Sequence, residues 1–248
     1  MIPNPIRKVL STMAARRVRA LLMGGQACVF YGAAEFSRDT DLAVLAEPEN
    51  LERLRAALHD LAADCIAVPP FEPDYLQRGH AVHFRCRHPE AAGMRVDVMA
   101  VMRGVDEFEK LWERRVVLAD AEGATYELLA LPDLVRAKKT QRDKDWPMLK
   151  RLLEADYLTN RQTATPEHSA FWLGELRTPE LLVELAAREP ELARHGQSGR
   201  PLLASALAGD GVALADALAT EEKQERERDR LYWLPLKAEL ERLRHPKI

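Results

Sequence analysis

The chain has 248 residues, 47% hydrophobic and 30% charged, as expected for a soluble protein with one large domain or two small ones. Its 36 Lys and Arg residues against 39 Asp and Glu residues give a net charge of −3, which excludes a general attraction to nucleic acid or to an acidic membrane. Three cysteines without C-x-x-C spacing argue against a disulfide framework or a zinc ribbon. No apolar run is long enough for a signal peptide or a membrane span, so we expect a cytoplasmic protein with no membrane partner.

The first half of the chain alternates between helix and strand patterns. Helices are predicted at residues 6–18, 25–31, 49–63 and 107–114. Strands are predicted at residues 19–23, 40–45, 80–87, 94–101 and 115–118. The third and fourth of these strands are separated by a short turn-like stretch, so they are expected to form a hairpin. The proline-rich stretch 69–73 is expected to be a loop.

The second half has a different character, with helix patterns almost throughout and no strand pattern after about residue 127. Helices are predicted at residues 133–140, 143–155, 167–176, 179–189, 202–207, 212–218 and 222–244. The predicted fold class is therefore α/β (α+β), with a mixed sheet and flanking helices over residues 1–130 and a helical domain over residues 131–248.

Three aspartates lie in predicted strands. Asp39 and Asp41 are two positions apart, so they point to the same face of their strand. Asp97 lies between two valines, an unusual place for a carboxylate unless something pairs with it. Gly24 and Gly25 follow the first strand and would let the backbone approach a phosphate closely. Together these residues predict a site for a metal-bound triphosphate.

These motifs resemble those of the nucleotidyltransferase superfamily, the group with the polymerase-beta-like fold. The likeness extends over about residues 20–150 and is strongest to the branch of AbiE-type toxins and minimal nucleotidyltransferases. In chain order the matching motifs are Gly24-Gly25-Gln26-Ala27, Tyr31-Gly32, Ser37-x-Asp39-x-Asp41 and Asp97.

The resemblance implies an enzyme that transfers a nucleoside monophosphate from an NTP, such as ATP, to a hydroxyl group. It implies a two-metal Mg²⁺ site in which Asp39, Asp41 and Asp97 are both the catalytic residues and the metal ligands. It places Gly24, Gly25 and Ser37 at the nucleotide. The acceptor remains open between a tRNA end, a protein side chain and a small molecule. A role as the toxin of a toxin–antitoxin pair, with a cognate antitoxin as partner, is also implied.

A helix after the sheet carries the cations that the resemblance assigns to the nucleotide. Lys138 or Lys139 is expected to steady the triphosphate, with Lys138 favoured because it shares a helix face with Leu134. Arg142 is expected to bind phosphate, and Asp145 to hold a basic partner in place. The alternative is that these cations simply form the solvated face of a helix.

Two departures from the family pattern support a second hypothesis. Gln26 stands where a small hydroxyl residue is frequent, and Glu35 where a basic residue is common. Both changes weaken the expected contacts to phosphate. A catalytically silent nucleotide-binding regulatory module is therefore the alternative to the enzyme. A metal site formed by His80 and His83 is not expected, because residues three apart on a strand face opposite sides.

Overall fold

A computed structural model describes residues 4–119 and 123–245 of the chain. Their seven strands and twelve α-helices confirm the predicted mixed α/β class and the mostly helical second half. The strands are β1 Ala20–Met23, β2 Asp39–Val44, β3 Ala63–Cys65, β4 Val82–Cys86, β5 Arg95–Met99, β6 Val116–Ala119 and β7 Thr125–Leu128.

The helices lie between the strands in the first half and follow one another in the second. They are α1 Asn4–Ala15, α2 Gly24–Phe30, α3 Pro48–Asp60, α4 Pro73–Gln77, α5 Phe108–Glu113, α6 Leu131–Ala137, α7 Asp145–Asn160, α8 Pro166–Glu175, α9 Pro179–Arg188, α10 Pro190–Gly196, α11 Leu203–Leu207 and α12 Gly211–Arg244. A short 3₁₀ helix spans Pro89–Ala91. Within the described part of the chain, no helix combines the length and the apolar character needed to cross a bilayer.

The seven strands form one sheet in the order β3-β4-β5-β2-β1-β7-β6. The predicted hairpin is confirmed, since β4 and β5 pair antiparallel. The central pair β2–β5 is parallel, and β1 pairs antiparallel with β2 and parallel with β7. This topology brings the two aspartate-bearing strands, 56 residues apart in sequence from Asp41 to Asp97, side by side in the middle of the sheet.

Alternation along the central strands places the aspartates on the face opposite three buried apolar residues. Residues paired across neighbouring strands point to the same side of a sheet. One side carries Leu22, Leu42 and Val98, each no more than 2% exposed, and belongs to the core of the first unit. The other side carries Asp41 and Asp97. The sheet therefore holds the carboxylates on the side opposite its apolar core face.

Several elements differ from the prediction. The strands β3 and β7 and the short helices α4 and α10 were not predicted. β3 has three residues and β7 has four, too short for alternation to be recognised. The two helices predicted at 212–218 and 222–244 are one continuous helix, α12, because no glycine or proline separates them.

The chain divides into two compact units. The first contains the described residues within 1–30, 34–137 and 232–248, and includes the whole sheet. The second contains residues 31–33 and 138–231, and is helical. Residues 131–137 and the last part of α12 thus group with the sheet, whereas the predicted helical domain began at residue 131.

Candidate active site

The first half of the candidate site is a close approach between a glycine turn and β2. Gly24 has a φ of +67°, a left-handed conformation that glycine adopts without strain. A Cβ atom at Gly24 would overlap Oδ2 of Asp41 and lie 2.7 Å from its Cβ. The Asp41 carboxylate therefore occupies the space that a side chain at Gly24 would need.

Gly25 approaches the loop before β2 in the same way. A Cβ atom at Gly25 would lie 2.8 Å from Ser37 Oγ. The Ser37 hydroxyl donates to the carbonyl oxygen of Asp39 at 3.1 Å and accepts from its amide at 3.4 Å. This local turn fixes the direction in which the chain enters β2. A side chain at either glycine would therefore collide with a residue that the sequence predicted for the same site.

The second half of the site is β5. In the parallel pairing, Asp41 lies directly opposite Asp97, and Asp39 lies opposite Arg95. These four residues share one face of the sheet because paired positions point to the same side. His83 joins them from β4, where it is the antiparallel partner of Asp97.

Asp97 is held by two basic side chains. Its Oδ1 atom accepts from Arg95 Nε at 2.8 Å and lies 2.8 Å from His83 Nδ1. Arg95 Nη2 also lies 3.0 Å from His83 Nδ1, so the imidazole stands between a carboxylate and a guanidinium. Burial disfavours the charged carboxylate, but the hydrogen bonds from His83 and Arg95 outweigh burial and lower the pKa of Asp97 below its ordinary value.

Sequence reasoning missed Arg95 and His83 as members of the site. Arg95 stands two positions before Asp97, and the alternation that places Asp39 beside Asp41 places Arg95 beside Asp97 in the same way. His83 could not be located without the register of β4 against β5. Asp97 lies between two valines and was expected to need a partner. Arg95 and His83 are its partners.

The cations predicted for the nucleotide lie in the second unit, where each has an acidic partner. Lys138 is 8% exposed, and its Nζ is 3.5 Å from Asp145 Oδ1. Lys139 Nζ lies 2.6 Å from Glu175 Oε2. Arg142 Nε donates to Asp145 Oδ2 at 2.7 Å. Their predicted contact with a triphosphate stays a prediction.

Asp145 organises the turn before α7. Besides Arg142, it accepts from the Thr140 hydroxyl at 2.6 Å. Its burial would raise the pKa, but the Lys138 charge, the Thr140 hydrogen bond and Arg142 outweigh burial and lower the pKa of this carboxyl. Asp145 therefore stays ionised at neutral pH and holds basic partners, the kind of role expected for it.

A Mg²⁺ ion fits the donor chemistry of the site in part. Among the described side chains, no group of three or more His, Cys, Asp or Glu residues is arranged to hold a metal ion. Mg²⁺, however, is commonly bound by one or two carboxylates and completed by substrate phosphates and water. Asp39 and Asp41 provide two such carboxylates on one face of β2, next to the glycine turn that a Cβ would fill.

Gln26 adds an unusual buried group next to the glycine turn. It is 1% exposed, and neither amide atom has a hydrogen-bond partner in the described part of the chain. Buried amides are normally satisfied, so Gln26 is an exception next to this turn.

No protein-family model and no curated protein sequence matches this chain.

Proposed function

We propose that this protein is a Mg²⁺-dependent nucleotidyltransferase that moves a nucleoside monophosphate from an NTP to a hydroxyl acceptor and releases pyrophosphate. The observation that carries the proposal is the convergence of three separate motifs at one place: the glycine pair, Ser37-x-Asp39-x-Asp41 and Asp97. Gly24 packs on Asp41, Gly25 packs on Ser37, and Asp41 stands opposite Asp97 on the neighbouring parallel strand. A purely structural Asp-x-Asp would not require the glycine turn to approach it so closely.

In the proposed reaction, the acceptor oxygen forms a bond to the α-phosphorus while the bond from that phosphorus to pyrophosphate breaks. The hydroxyl proton leaves to solvent water. Asp39 and Asp41 would hold Mg²⁺, which when bound neutralises charge on the phosphate oxygens. Ser37 and the backbone at Gly25 would border the phosphates, since both face the same turn.

Asp97 would orient the acceptor hydroxyl. Its lowered pKa keeps the carboxyl ionised at neutral pH, so it is ready to accept a hydrogen bond. The same low pKa makes it a weak base, which suits orientation better than full proton removal. Arg95 and His83 would fix the direction of the carboxylate, because both bond to its Oδ1 atom.

The test is pyrophosphate release with each NTP and Mg²⁺, in the presence of total tRNA, a protein mixture or a panel of small hydroxyl compounds such as aminoglycosides. Wild type should release pyrophosphate with one acceptor class, and Asp41→Asn should release almost none. Asp74→Asn, an acidic residue in the first turn of α4, is the control and should match wild type. Equal rates for Asp41→Asn and wild type would contradict the assignment.

A silent nucleotide-binding module is the second candidate. The observation in its favour is that Asp97 is already bound by Arg95 and His83, which reduces its capacity to act as a metal ligand. The same experiment separates the two candidates. NTP binding without pyrophosphate release in any acceptor mixture would favour the silent module.

A further inference from the structure

An exposed aromatic residue directly precedes Ser37, a residue of the candidate active site. Phe36 is 64% exposed, and it is the only aromatic residue among the exposed large hydrophobic side chains of the described ranges. Single exposed apolar side chains are ordinary on protein surfaces, so exposure alone has little meaning. Phe36 differs from the others because it directly precedes Ser37, whose hydroxyl group packs against Gly25.

Arg38, the residue that follows Ser37, lies near the Phe36 ring. Its guanidinium lies 6.0 Å from the centroid of the Phe36 ring, at the limit of a cation–π contact. In the part of the chain that the structure describes, Arg38 forms no salt bridge, whereas Arg95 is bound to Asp97. The loop before β2 therefore presents an aromatic ring and an uncompensated cation on the two sides of Ser37.

We propose that Phe36 and Arg38 form a stacking platform for a nucleobase. The inference rests on the proposed function and adds to it the part of the ligand that the carboxylates and glycines do not contact. Every nucleobase has a flat π face, and aromatic rings and guanidinium planes stack on that face. A cation next to the ring also suits a ligand that carries phosphates.

The platform has a consequence for base selection. Stacking tolerates all four bases, because it does not read the hydrogen-bonding edge. A site that holds the base by stacking on Phe36 is therefore expected to bind ATP, GTP, CTP and UTP with Kd values within about tenfold of one another. The base could belong to the NTP or to the end of an RNA acceptor, since both present the same π face.

The experiment compares Kd values of an α,β-methylene ATP analogue and of inorganic tripolyphosphate, both with Mg²⁺. Phe36→Ala should weaken binding of the ATP analogue at least about fivefold, the low end for loss of one stacked base, and leave tripolyphosphate binding unchanged. Phe36→Trp should retain binding, while Phe36→Leu should lose it, because leucine keeps apolar area without a π face. Val117→Ala, at a residue 51% exposed on β6, is the matched control.

A parallel arm uses a short single-stranded RNA with a free 3′-hydroxyl. If Phe36→Ala weakens RNA binding and leaves the ATP analogue unaffected, the stacked base is that of the acceptor, and the platform is supported. If Phe36→Ala changes neither Kd, the platform is wrong while the proposed function stands. If wild type binds neither the ATP analogue nor tripolyphosphate, the proposed function itself fails, and the platform with it.

Discussion

Gly24 is the glycine whose backbone lies closest to a predicted catalytic side chain, that of Asp41. Gly24→Ala would force a methyl group into the space of the Asp41 carboxylate. We expect transfer activity to fall about 100-fold, the order of loss seen when a reacting group is displaced by about 1 Å. The measurement is kcat/KM for pyrophosphate release, with folding followed by circular dichroism.

The control for Gly24 is Gly93, which also has a positive φ, +78°. A Cβ atom at Gly93 would have no described neighbour within 4 Å beyond the adjacent residues. Gly93→Ala introduces the same left-handed strain, about 1–2 kcal/mol, without a clash. If both variants lose stability equally but only Gly24→Ala loses activity, the contact with Asp41 is the cause. Equal activity in both would contradict the importance of that contact.

The Asp97–Arg95 pair should give a pH-dependent contribution to stability. The pKa of the folded Asp97 carboxyl is lowered, so the folded state binds this proton more weakly than the unfolded state. The stabilisation is complete above the unfolded pKa, near 4, and is lost as the pH falls through the folded pKa. Arg95→Gln should therefore be most destabilising above about pH 4 and progressively less so below it.

Urea unfolding between pH 7 and pH 2.5 measures this effect. Arg85→Gln is the matched control, because Arg85 faces Arg95 across the β4–β5 pairing and forms no salt bridge within the described ranges. Its effect on the free energy of unfolding should not change across the same pH window. A pH-independent effect of Arg95→Gln would contradict the role given to the ion pair.

The single residues of the site were predictable to different degrees. Gly24, Asp39 and Asp41 follow from a local pattern of glycine turn and strand alternation, and the structure shows a close contact between Gly24 and Asp41. His83 depends on the register between two strands, and alternation within one strand carries no information about register. The paired state of Lys138 and Arg142 depends on side-chain geometry that helix periodicity does not define.

Among the elements, the turn leading into α7 depends most clearly on one buried carboxylate. Asp145 has a side chain 3% exposed and bonds to Arg142 and Thr140 next to the buried Lys138. Asp145→Ala leaves Lys138 buried without this partner, and we expect a loss of about 3–5 kcal/mol in the free energy of unfolding of the second unit. Hydrogen exchange of α7 and urea unfolding would measure it.

The neighbouring Asp143 is the control for that variant. Its side chain is 99% exposed and pairs with Arg226 at the surface. Exposed pairs contribute about 0–1 kcal/mol, so Asp143→Ala should have a small effect. Equal effects of the two variants would show that α7 does not depend on the buried carboxylate.

The long and regular elements were predictable, and the elements that the sequence did not predict are all short. The β4–β5 hairpin follows from two alternating runs with a turn between them. The strand β7 pairs with the distant β1 through a single parallel register position, Leu22 to Leu128, and four residues carry too little pattern to reveal such a non-local pairing. For α12, an internal proline at 235 did not end the helix, and neither did the polar stretch around residue 220.

At the scale of the whole molecule, the last part of α12, from residue 232 on, belongs to the first unit. Glu239, in the last part of α12, lies 2.7 Å from Nε2 of His80 and accepts from Arg78 at 2.8 Å. His80 is fully buried, so Glu239→Ala should destabilise the first unit by about 1–3 kcal/mol. Glu241→Ala, which removes an exposed pair with Arg244, should cost far less. Equal unfolding midpoints for the two variants would show that the bonds of Glu239 to His80 and Arg78 do not stabilise the first unit.

The most direct test of the proposed transferase compares NTP labelled at the α-phosphate with NTP labelled at the γ-phosphate. Each is incubated with Mg²⁺ and the acceptor mixtures, using wild type, Asp39→Asn and Asp41→Asn. Nucleotidyl transfer places the α-label on the acceptor and the γ-label in pyrophosphate, and both variants should abolish the transfer. Label on the acceptor from γ-labelled NTP, or transfer that persists in Asp41→Asn, would contradict the proposal.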